Sequence, residues 1–150
     1  MHNYATAVIQ LPLVRETGTK PRIRTPEDSA KACADMQNLA QESFQVLLLN
    51  SKNYLLNRQM VSLGLVDASL VHPREVFRQA IVENSAALVC VHNHPSGDST
   101  PSAEDIRITR QLIEAGRIID IKILDHVIIG RPSENNKGYT SMRESGLCEF

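Results

Sequence analysis

The chain has 150 residues, 42% of them hydrophobic, which is enough for one sizeable core. Its formal net charge of −1 and its lack of tryptophan give no long-range attraction to nucleic acid and little surface for stacking bases. The three cysteines are widely spaced, which excludes a disulfide framework and a cysteine-rich zinc knuckle and suits a reducing compartment. No signal peptide or membrane span is indicated, so we expect a cytoplasmic protein.

The N-terminal half predicts one helix followed by several strands. Thr25 fits an N-cap, Pro26 fits the first helical position, and acidic residues follow them, so a helix should run to about Ala40. Apolar runs broken by turn residues then predict a strand, a turn, a second strand and a third strand at residues 44–49, 50–53, 54–62 and 65–71. The first two of these strands should form a hairpin.

The C-terminal half predicts helices that alternate with strands. Residues 73–84 carry apolar side chains at helical spacing, and residues 86–92 form a short, apolar, β-prone strand. A helix capped by Ser102 follows, with Gly116 as its C-cap, and residues 118–129 predict a final long strand. The whole pattern indicates an α/β protein with a β-rich sheet flanked by helices.

Two histidines and an aspartate form the most informative pattern in the chain. His92 and His94 point the same way if Asn93 stays extended, because side chains alternate across a strand. Asp105 falls in the first turn of the helix capped by Ser102, so a strand end and a helix start could face each other across a loop. Three ligands of this type leave a fourth zinc position open for water. The residues therefore predict a catalytic zinc site.

Each part of this pattern also has a purely structural interpretation. Ser102 and Asp105 can form a variant capping box, which explains both residues without a metal. Histidines at a strand end are often only hydrogen-bonded or exposed. Here, however, the pair Ser102 and Asp105 follows them closely in the sequence, which favours a joint role of the histidines and Asp105 as ligands. Cys90 could face the same side as His92, yet we expect a core thiol, because a thiolate ligand would close a site that hydrolysis needs open.

These residues also resemble a known signature. His92, His94 and Pro95, followed after six residues by Ser102 and Asp105, are similar to the motif of the JAMM/MPN zinc metalloenzymes. Many members of that family cleave isopeptide bonds to ubiquitin or similar modifiers. The resemblance implies an MPN/JAB (cytidine-deaminase-like) α/β fold, with a mixed β-sheet flanked by helices. It also implies a Zn²⁺ cofactor held by His92, His94 and Asp105.

The string at residues 91–105 is similar, more narrowly, to the RadC branch of this family. Three further segments share that similarity: 42–50, 72–77 and 124–130. We therefore expect a RadC-like JAB/MPN domain at residues 25–150, after an N-terminal extension or arm at residues 1–24. RadC proteins usually carry a helix-hairpin-helix region as well, and this extension is too short for one. A role inferred from that region is therefore not transferred, although the family was historically labelled a DNA repair protein.

The resemblance also assigns roles around the metal. Glu42 matches the catalytic glutamate of the family, whereas a favourable helix dipole explains its competitor Glu75 without catalysis. Ser102 matches the family serine that donates a hydrogen bond to the oxyanion. Considered from the residues and not from the resemblance, His126 is interpreted as a structural histidine, and a role for the adjacent Asp125 in orienting a ligand imidazole is the less favoured alternative.

Together, the residues and the resemblance predict a zinc-dependent hydrolase of peptide or isopeptide bonds, with a peptide or protein substrate. The alternative is a non-catalytic binding protein of DNA maintenance or of mobile elements. A metal-dependent nuclease is a weaker alternative, because phosphodiester cleavage often uses two adjacent ions. We expect no membrane partner, and at most weak DNA binding through the basic cluster of Lys20, Arg22 and Arg24.

Overall fold

The computed structural model describes residues 20–64 and 71–150, which form three α-helices, one 3₁₀ helix and five strands. The helices are α1 (Pro26–Ala32), the 3₁₀ helix (Ala34–Asn38), α2 (Pro73–Val82) and α3 (Ala103–Ile119). The strands are β1 (Ser43–Leu49), β2 (Leu55–Leu63), β3 (Ala87–Asn93), β4 (Lys122–Ile129) and β5 (Tyr139–Ser141). The strand predicted at residues 65–71 lies outside the described residues, apart from Val71.

The five strands form one mixed sheet in the order β2-β1-β3-β4-β5. β1 pairs antiparallel with β2 and with β3, β3 pairs parallel with β4, and β5 pairs antiparallel with β4. A parallel pair needs a long crossover connection, and α3 supplies it. The predicted hairpin is confirmed by β1 and β2. The predicted α/β class, a mixed sheet flanked by helices, is confirmed as well.

Different helices cover the two faces of the sheet. We call the face covered by α2 and α3 the α2/α3 face, and its core includes Val46, Leu48, Phe77, Leu88 and Leu112. We call the face covered by α1 and the 3₁₀ helix the α1 face, and its core includes Met36, Leu47, Leu49, Val89 and Val91. β1 and β3 supply both cores through alternating residues, which is why their sequences are almost continuously apolar. The register between these two strands is therefore fixed from both sides.

The first helix is shorter than predicted. Thr25 caps α1 through a capping box with Asp28, as the start signal indicated. The α-helix ends at Ala32, however, and the chain continues as the 3₁₀ helix to Asn38.

Among residues 20–64 and 71–150, no helix combines the length and the apolar character that crossing a bilayer requires.

The predicted end of α3 was wrong by one turn. The helix continues past Gly116 to a C-cap at Asp120, which adopts a left-handed backbone with φ 59°. Gly116 lies inside the helix, and glycine is required there because a Cβ would collide with the carbonyl oxygen of Ile121. The signal taken for a C-cap thus reflects close packing of the helix on the chain that follows it. As a consequence, the last long strand begins at Lys122 instead of residue 118.

A β-bulge in β4 determines which of its side chains face each core. Ile123 and Asp125 pair with consecutive residues of β3, so Leu124 is an additional residue on β4. The bulge breaks the strict alternation of side chains. As a result, both Ile123 and His126 contribute to the α2/α3 face. A regular strand would have placed them on opposite faces.

Candidate metal centre

Four side chains that can bind metal converge where β1 begins and β3 ends. Ligand atoms of Glu42, His92, His94 and Asp105 all lie within 4.8 Å of one another. His92 Nε2 lies 3.0 Å from His94 Nε2 and 3.3 Å from Asp105 Oδ1. His94 Nε2 lies 3.1 Å from Asp105 Oδ2, and Glu42 Oε1 lies 3.6 Å from His92 Nε2. We call these four residues the ligand cluster.

The end of β3 delivers both histidines. The strand is extended through Asn93, so His92 and His94 project to the same side, as predicted. The backbone N–H of His94 donates to the carbonyl of Ile129 at 2.9 Å, which keeps the chain on the sheet beyond the last residue of β3. The His92 side chain is only 2% exposed, whereas the side chains of His94 and Glu42 are 17% and 32% exposed. The ligand cluster is therefore open to solvent on one side.

The N-terminus of α3 delivers Asp105. The Ser102 hydroxyl oxygen accepts a hydrogen bond from the backbone N–H of Asp105 at 3.1 Å, and Asp105 Oδ2 accepts one from the backbone N–H of Ser102 at 2.8 Å. This is the capping box that the sequence allowed as an alternative to a ligand. The structure combines both interpretations, because the same carboxylate also faces the two imidazoles. Accepting the capping bond leaves the Ser102 hydroxyl hydrogen able to donate.

The second nitrogen of each imidazole makes a hydrogen bond outside the ligand cluster. His94 Nδ1 donates to the carbonyl oxygen of Asp98 at 2.8 Å, because a carbonyl can only accept. Neutral His94 therefore presents a lone pair at Nε2 to the ligand cluster. His92 Nδ1 lies 2.7 Å from Nε2 of His126, which is fully buried on β4.

The separations within the ligand cluster fit one tetrahedral metal ion. Ligand atoms about 2.0–2.1 Å from a tetrahedral zinc stand about 3.3 Å apart. The three separations among His92, His94 and Asp105 are 3.0, 3.1 and 3.3 Å. Without a cation, a carboxylate and nitrogen lone pairs repel one another at these distances. The ligand cluster could therefore hold a metal ion, and imidazole and carboxylate ligands suit zinc.

Comparison with known proteins identifies the family. A family model described as the RadC-like JAB domain matches residues 23–147. The chain belongs to the RadC family. A UPF0758 protein of Geobacillus sp. (strain WCH70) is 50% identical over 125 residues, which cover 83% of this chain and 53% of that protein. A UPF0758 protein of Geobacillus thermodenitrificans (strain NG80-2) is 48% identical over 136 residues, which cover 89% of this chain and 58% of that protein. UPF0758 protein YsxA of Bacillus subtilis (strain 168) is 48% identical over 125 residues, which cover 83% and 52%. The chain spans about half the length of these curated relatives.

The two carboxyl groups of this RadC site differ in their electrostatics. Burial raises the pKa of the Glu42 carboxyl above its ordinary value, and the neighbouring His92 and His94 offset this only in part. Burial also acts to raise the pKa of Asp105. Protonated His92 and His94, which can donate to this carboxylate when no metal is bound, and the backbone N–H of Ser102 outweigh burial and hold this pKa well below its usual range. Asp105 is therefore firmly ionised, as a metal ligand must be, while Glu42 is the more basic carboxylate.

The side chain of Asn93 holds Glu42 beside the ligands. Asn93 Oδ1 accepts a hydrogen bond from the backbone N–H of Ser43 at 2.7 Å, and Asn93 Nδ2 donates to the carbonyl of Gln41 at 3.0 Å. Ser43 and Gln41 are the two sequence neighbours of Glu42. One buried amide thus ties the segment that carries Glu42 to the strand that carries both histidines. Sequence reasoning used only the extended backbone of Asn93, although its position between the two histidines was a usable signal.

The residue that contacts the imidazole of His92 is His126, and the alternative role considered for Asp125 is not found. The Asp125 carboxylate accepts hydrogen bonds from the Ser141 hydroxyl at 2.6 Å and from the backbone N–H groups of His126 and Arg143 at 2.7 and 3.1 Å. It therefore ties β4 to β5 and to the turn that follows β5. His126 is a buried, hydrogen-bonded histidine, as interpreted, but its partner is the ligand candidate His92.

Two other residues considered from sequence lie outside the ligand cluster. Glu75 occupies the first turn of α2, where the helix dipole favours its charge, and it is not part of the group that converges with the histidines. Cys90 is fully buried in the core of the α2/α3 face, and burial raises the pKa of its thiol. The interpretation of Cys90 as a core residue is confirmed.

Proposed function

We propose that this RadC domain is a zinc-dependent hydrolase of peptide or isopeptide bonds. The observation that carries the proposal is the convergence of His92, His94 and Asp105 on one point, with Glu42 beside it. Zinc held by these three ligands would polarise a scissile carbonyl and lower the pKa of water to about 7. All other parts of the proposed chemistry depend on side chains of the chain itself.

Glu42 is the residue that we propose moves the proton. Its carboxylate is near His92 and is also partly exposed, so it borders both the ligands and the solvent from which water and substrate arrive. The raised pKa of this carboxyl makes Glu42 a stronger base than an ordinary surface glutamate. In our proposal, Glu42 takes a proton from the attacking water and delivers it to the nitrogen of the leaving amine.

Ser102 is the residue that we propose stabilises the oxyanion. It caps the N-terminus of α3, where the helix carries partial positive charge, and its hydroxyl hydrogen is left over from the capping box. A donor at such a position stabilises the negative charge that develops on a carbonyl oxygen in the transition state. This role adds to the capping role and does not replace it.

Amide hydrolysis fits the ligand cluster better than phosphodiester cleavage does. Within residues 20–64 and 71–150, one group of convergent metal-binding side chains is found, and it combines two imidazoles with two carboxylates. Nucleases often use two adjacent ions, which need more carboxylates.

The free, buried state of Cys33, Cys90 and Cys148 supports a reducing, cytoplasmic location for the activity.

Substitution of Glu42 tests the proposal. We expect the zinc-loaded protein to cleave members of a panel of peptides and isopeptide-linked conjugates. Glu42→Gln keeps the size of the side chain but cannot accept the proton, so kcat should fall about 10²- to 10⁴-fold while zinc stays bound. The readouts are kcat and zinc content by elemental analysis. Glu75→Gln makes the same chemical change on α2 and is the matched control, which should keep its activity.

Two outcomes would contradict this proposal. Loss of cleavage in Glu75→Gln, with cleavage retained in Glu42→Gln, would show that the wrong carboxylate has been assigned. If the zinc-loaded wild type cleaved nothing in the panel, the domain would instead fit the alternative function, a non-catalytic binding protein of DNA maintenance or of mobile elements.

A further inference from the structure

A chain of buried hydrogen bonds extends from His92 away from the ligand cluster. His92 Nδ1 lies 2.7 Å from His126 Nε2, and His126 Nδ1 lies 2.5 Å from the hydroxyl oxygen of Thr109. The Thr109 hydroxyl donates to the backbone carbonyl oxygen of Asp105 at 2.6 Å. All four residues are at most 2% exposed. Water therefore cannot substitute for any of these partners without a rearrangement of the core.

The last acceptor sets the direction of the whole chain. A carbonyl only accepts, so the single hydroxyl hydrogen of Thr109 points to Asp105, and Met142 Sδ at 3.5 Å is a much weaker acceptor. The Thr109 oxygen must then accept from Nδ1–H of His126. A neutral imidazole carries one N–H, so His126 Nε2 accepts from Nδ1–H of His92. This leaves a lone pair on His92 Nε2, the atom that faces the ligand cluster.

Three elements cooperate in this arrangement. Asp105 and Thr109 are four residues apart on α3, the spacing at which a threonine hydroxyl bonds the carbonyl of the preceding turn. The bulge in β4 turns His126 toward the same face. The ring of Phe44 on β1 stacks on His92, with centroids 5.9 Å apart, and meets His126 edge-on at 5.4 Å. Contacts with Phe44 therefore fix the ring orientation of both imidazoles, in addition to the hydrogen bond between them.

We propose that Thr109 and His126 are positioning residues that hold His92 in its Nδ1–H tautomer, with Nε2 ready to bind the metal. The inference rests on the proposed function of the ligand cluster as a metal site. Asp105 then contributes twice, since its carboxylate is a ligand while its backbone carbonyl sets the tautomer of another ligand. His94 achieves the same end differently, because its Nδ1 donates directly to a backbone carbonyl.

Removal of the Thr109 hydroxyl tests this directly. Thr109→Val keeps the shape of the side chain but leaves His126 Nδ1 without its acceptor, so zinc affinity should fall about 10- to 100-fold. Affinity is measured by competition with a chromophoric chelator, which does not require any hydrolytic activity. Thr109→Ser retains the hydroxyl and should restore tight binding. Thr140→Val is the matched control, since it breaks a partly buried hydroxyl pair with Ser99 that lies outside the ligand cluster.

A spectroscopic readout keeps the test independent of folding losses and of catalysis. Long-range ¹H–¹⁵N spectra of the metal-free wild type should show His92 and His126 as Nδ1–H tautomers. In Thr109→Val, His126 should no longer prefer the Nδ1–H tautomer. His92 should then lose its preference for Nδ1–H as well. An Nε2–H tautomer of His92 in the wild type would overturn the inference, and so would wild-type zinc affinity in a folded Thr109→Val. Absence of cleavage by a protein that shows the expected tautomers would count against the hydrolase alone.

Discussion

The end of β3 carries two neighbouring residues that face opposite sides of the sheet and serve different purposes. On the α2/α3 face, His92 Nε2 lies within 3.3 Å of a second imidazole nitrogen and of a carboxylate oxygen. On the α1 face, the amide of Asn93 meets one backbone donor and one backbone acceptor. The first arrangement brings together several groups that can bind a cation, whereas in the second each donor meets an acceptor. Convergence of groups that all offer lone pairs thus distinguishes a binding site from a structural hydrogen-bond network.

The network on the α1 face extends this contrast. Gln45 Nε2 donates to the Ser43 hydroxyl at 3.0 Å, and Arg58 Nε donates to Gln45 Oε1 at 2.5 Å. The two terminal nitrogens of Arg58 donate to the two carboxylate oxygens of Asp35 at 2.7 and 2.9 Å. Each of these donors meets an acceptor, so the network needs no external ion. Asn93 differs from these side chains because it holds both sequence neighbours of Glu42, so we expect the α1 face to affect function through Asn93.

The largest effect that the comparison predicts is loss of the metal. A His92→Ala, His94→Ala double variant removes two of the three proposed ligands, so zinc should fall from about one per chain to an undetectable level. Elemental analysis of the purified protein measures this. His92 is buried against Phe44 and His126, so the double variant should also lose some thermal stability.

His94→Ala provides the cleaner single variant, because its side chain is more exposed than that of His92. It should weaken zinc binding sharply while circular dichroism shows an unchanged fold. Full zinc occupancy in a folded double variant would remove the basis of the comparison, because the convergent groups would then not be the ligands.

A smaller effect is expected from the complementary face. Asn93→Ala leaves the Ser43 N–H and the Gln41 carbonyl without their partner, which should cost about 1–3 kcal/mol of stability. Zinc should remain bound, but kcat should fall about tenfold or more, because Glu42 is no longer fixed at the ligand cluster. Denaturant unfolding, zinc analysis and steady-state kinetics separate these three effects.

Two further variants sharpen that prediction. In a Glu42→Gln background, Asn93→Ala should lower kcat no further, because its effect acts through Glu42, while its cost in stability should persist. Gln45→Ala is the matched control on the α1 face: it should destabilise the protein and leave kcat unchanged. Equal losses of kcat in Asn93→Ala and Gln45→Ala would show that Asn93 acts only through general stability.

The convergence of the candidate ligands could be anticipated from the sequence because these residues belong to local patterns. His92 and His94 share one strand end, and Asp105 follows a recognisable helix cap, so alternation and capping rules place each side chain. The class of fold followed from the same local signals. Glu42 came only from the family resemblance, because the pairing of β1 with β3 brings it to the ligands across fifty positions of sequence (92 − 42).

The remaining errors come from features that local patterns do not encode. The bulge at Leu124 changes which face of β4 each residue occupies, so alternation could not distinguish the roles of Asp125 and His126. Gly116 resembled a helix stop but is required by its contact with the carbonyl of Ile121. Both features depend on how neighbouring elements pack, which becomes visible only in three dimensions.

The smallest expected effect concerns nucleic acid and the basic cluster of Lys20, Arg22 and Arg24. Arg22 Nε donates to the carbonyl of Lys52 at 2.8 Å, and its guanidinium lies over the ring of Tyr54 at 5.2 Å, so part of this charge is already engaged within the fold. With a net charge of −1, the chain should bind DNA weakly at physiological salt, and binding should fade steeply as salt rises. Fluorescence anisotropy of labelled DNA should show the same weak binding with and without zinc, and less after neutralisation of the three basic residues. Tight, salt-tolerant binding that disappears with zinc would place nucleic acid at the ligand cluster and would break the assignment of that face to amide substrates.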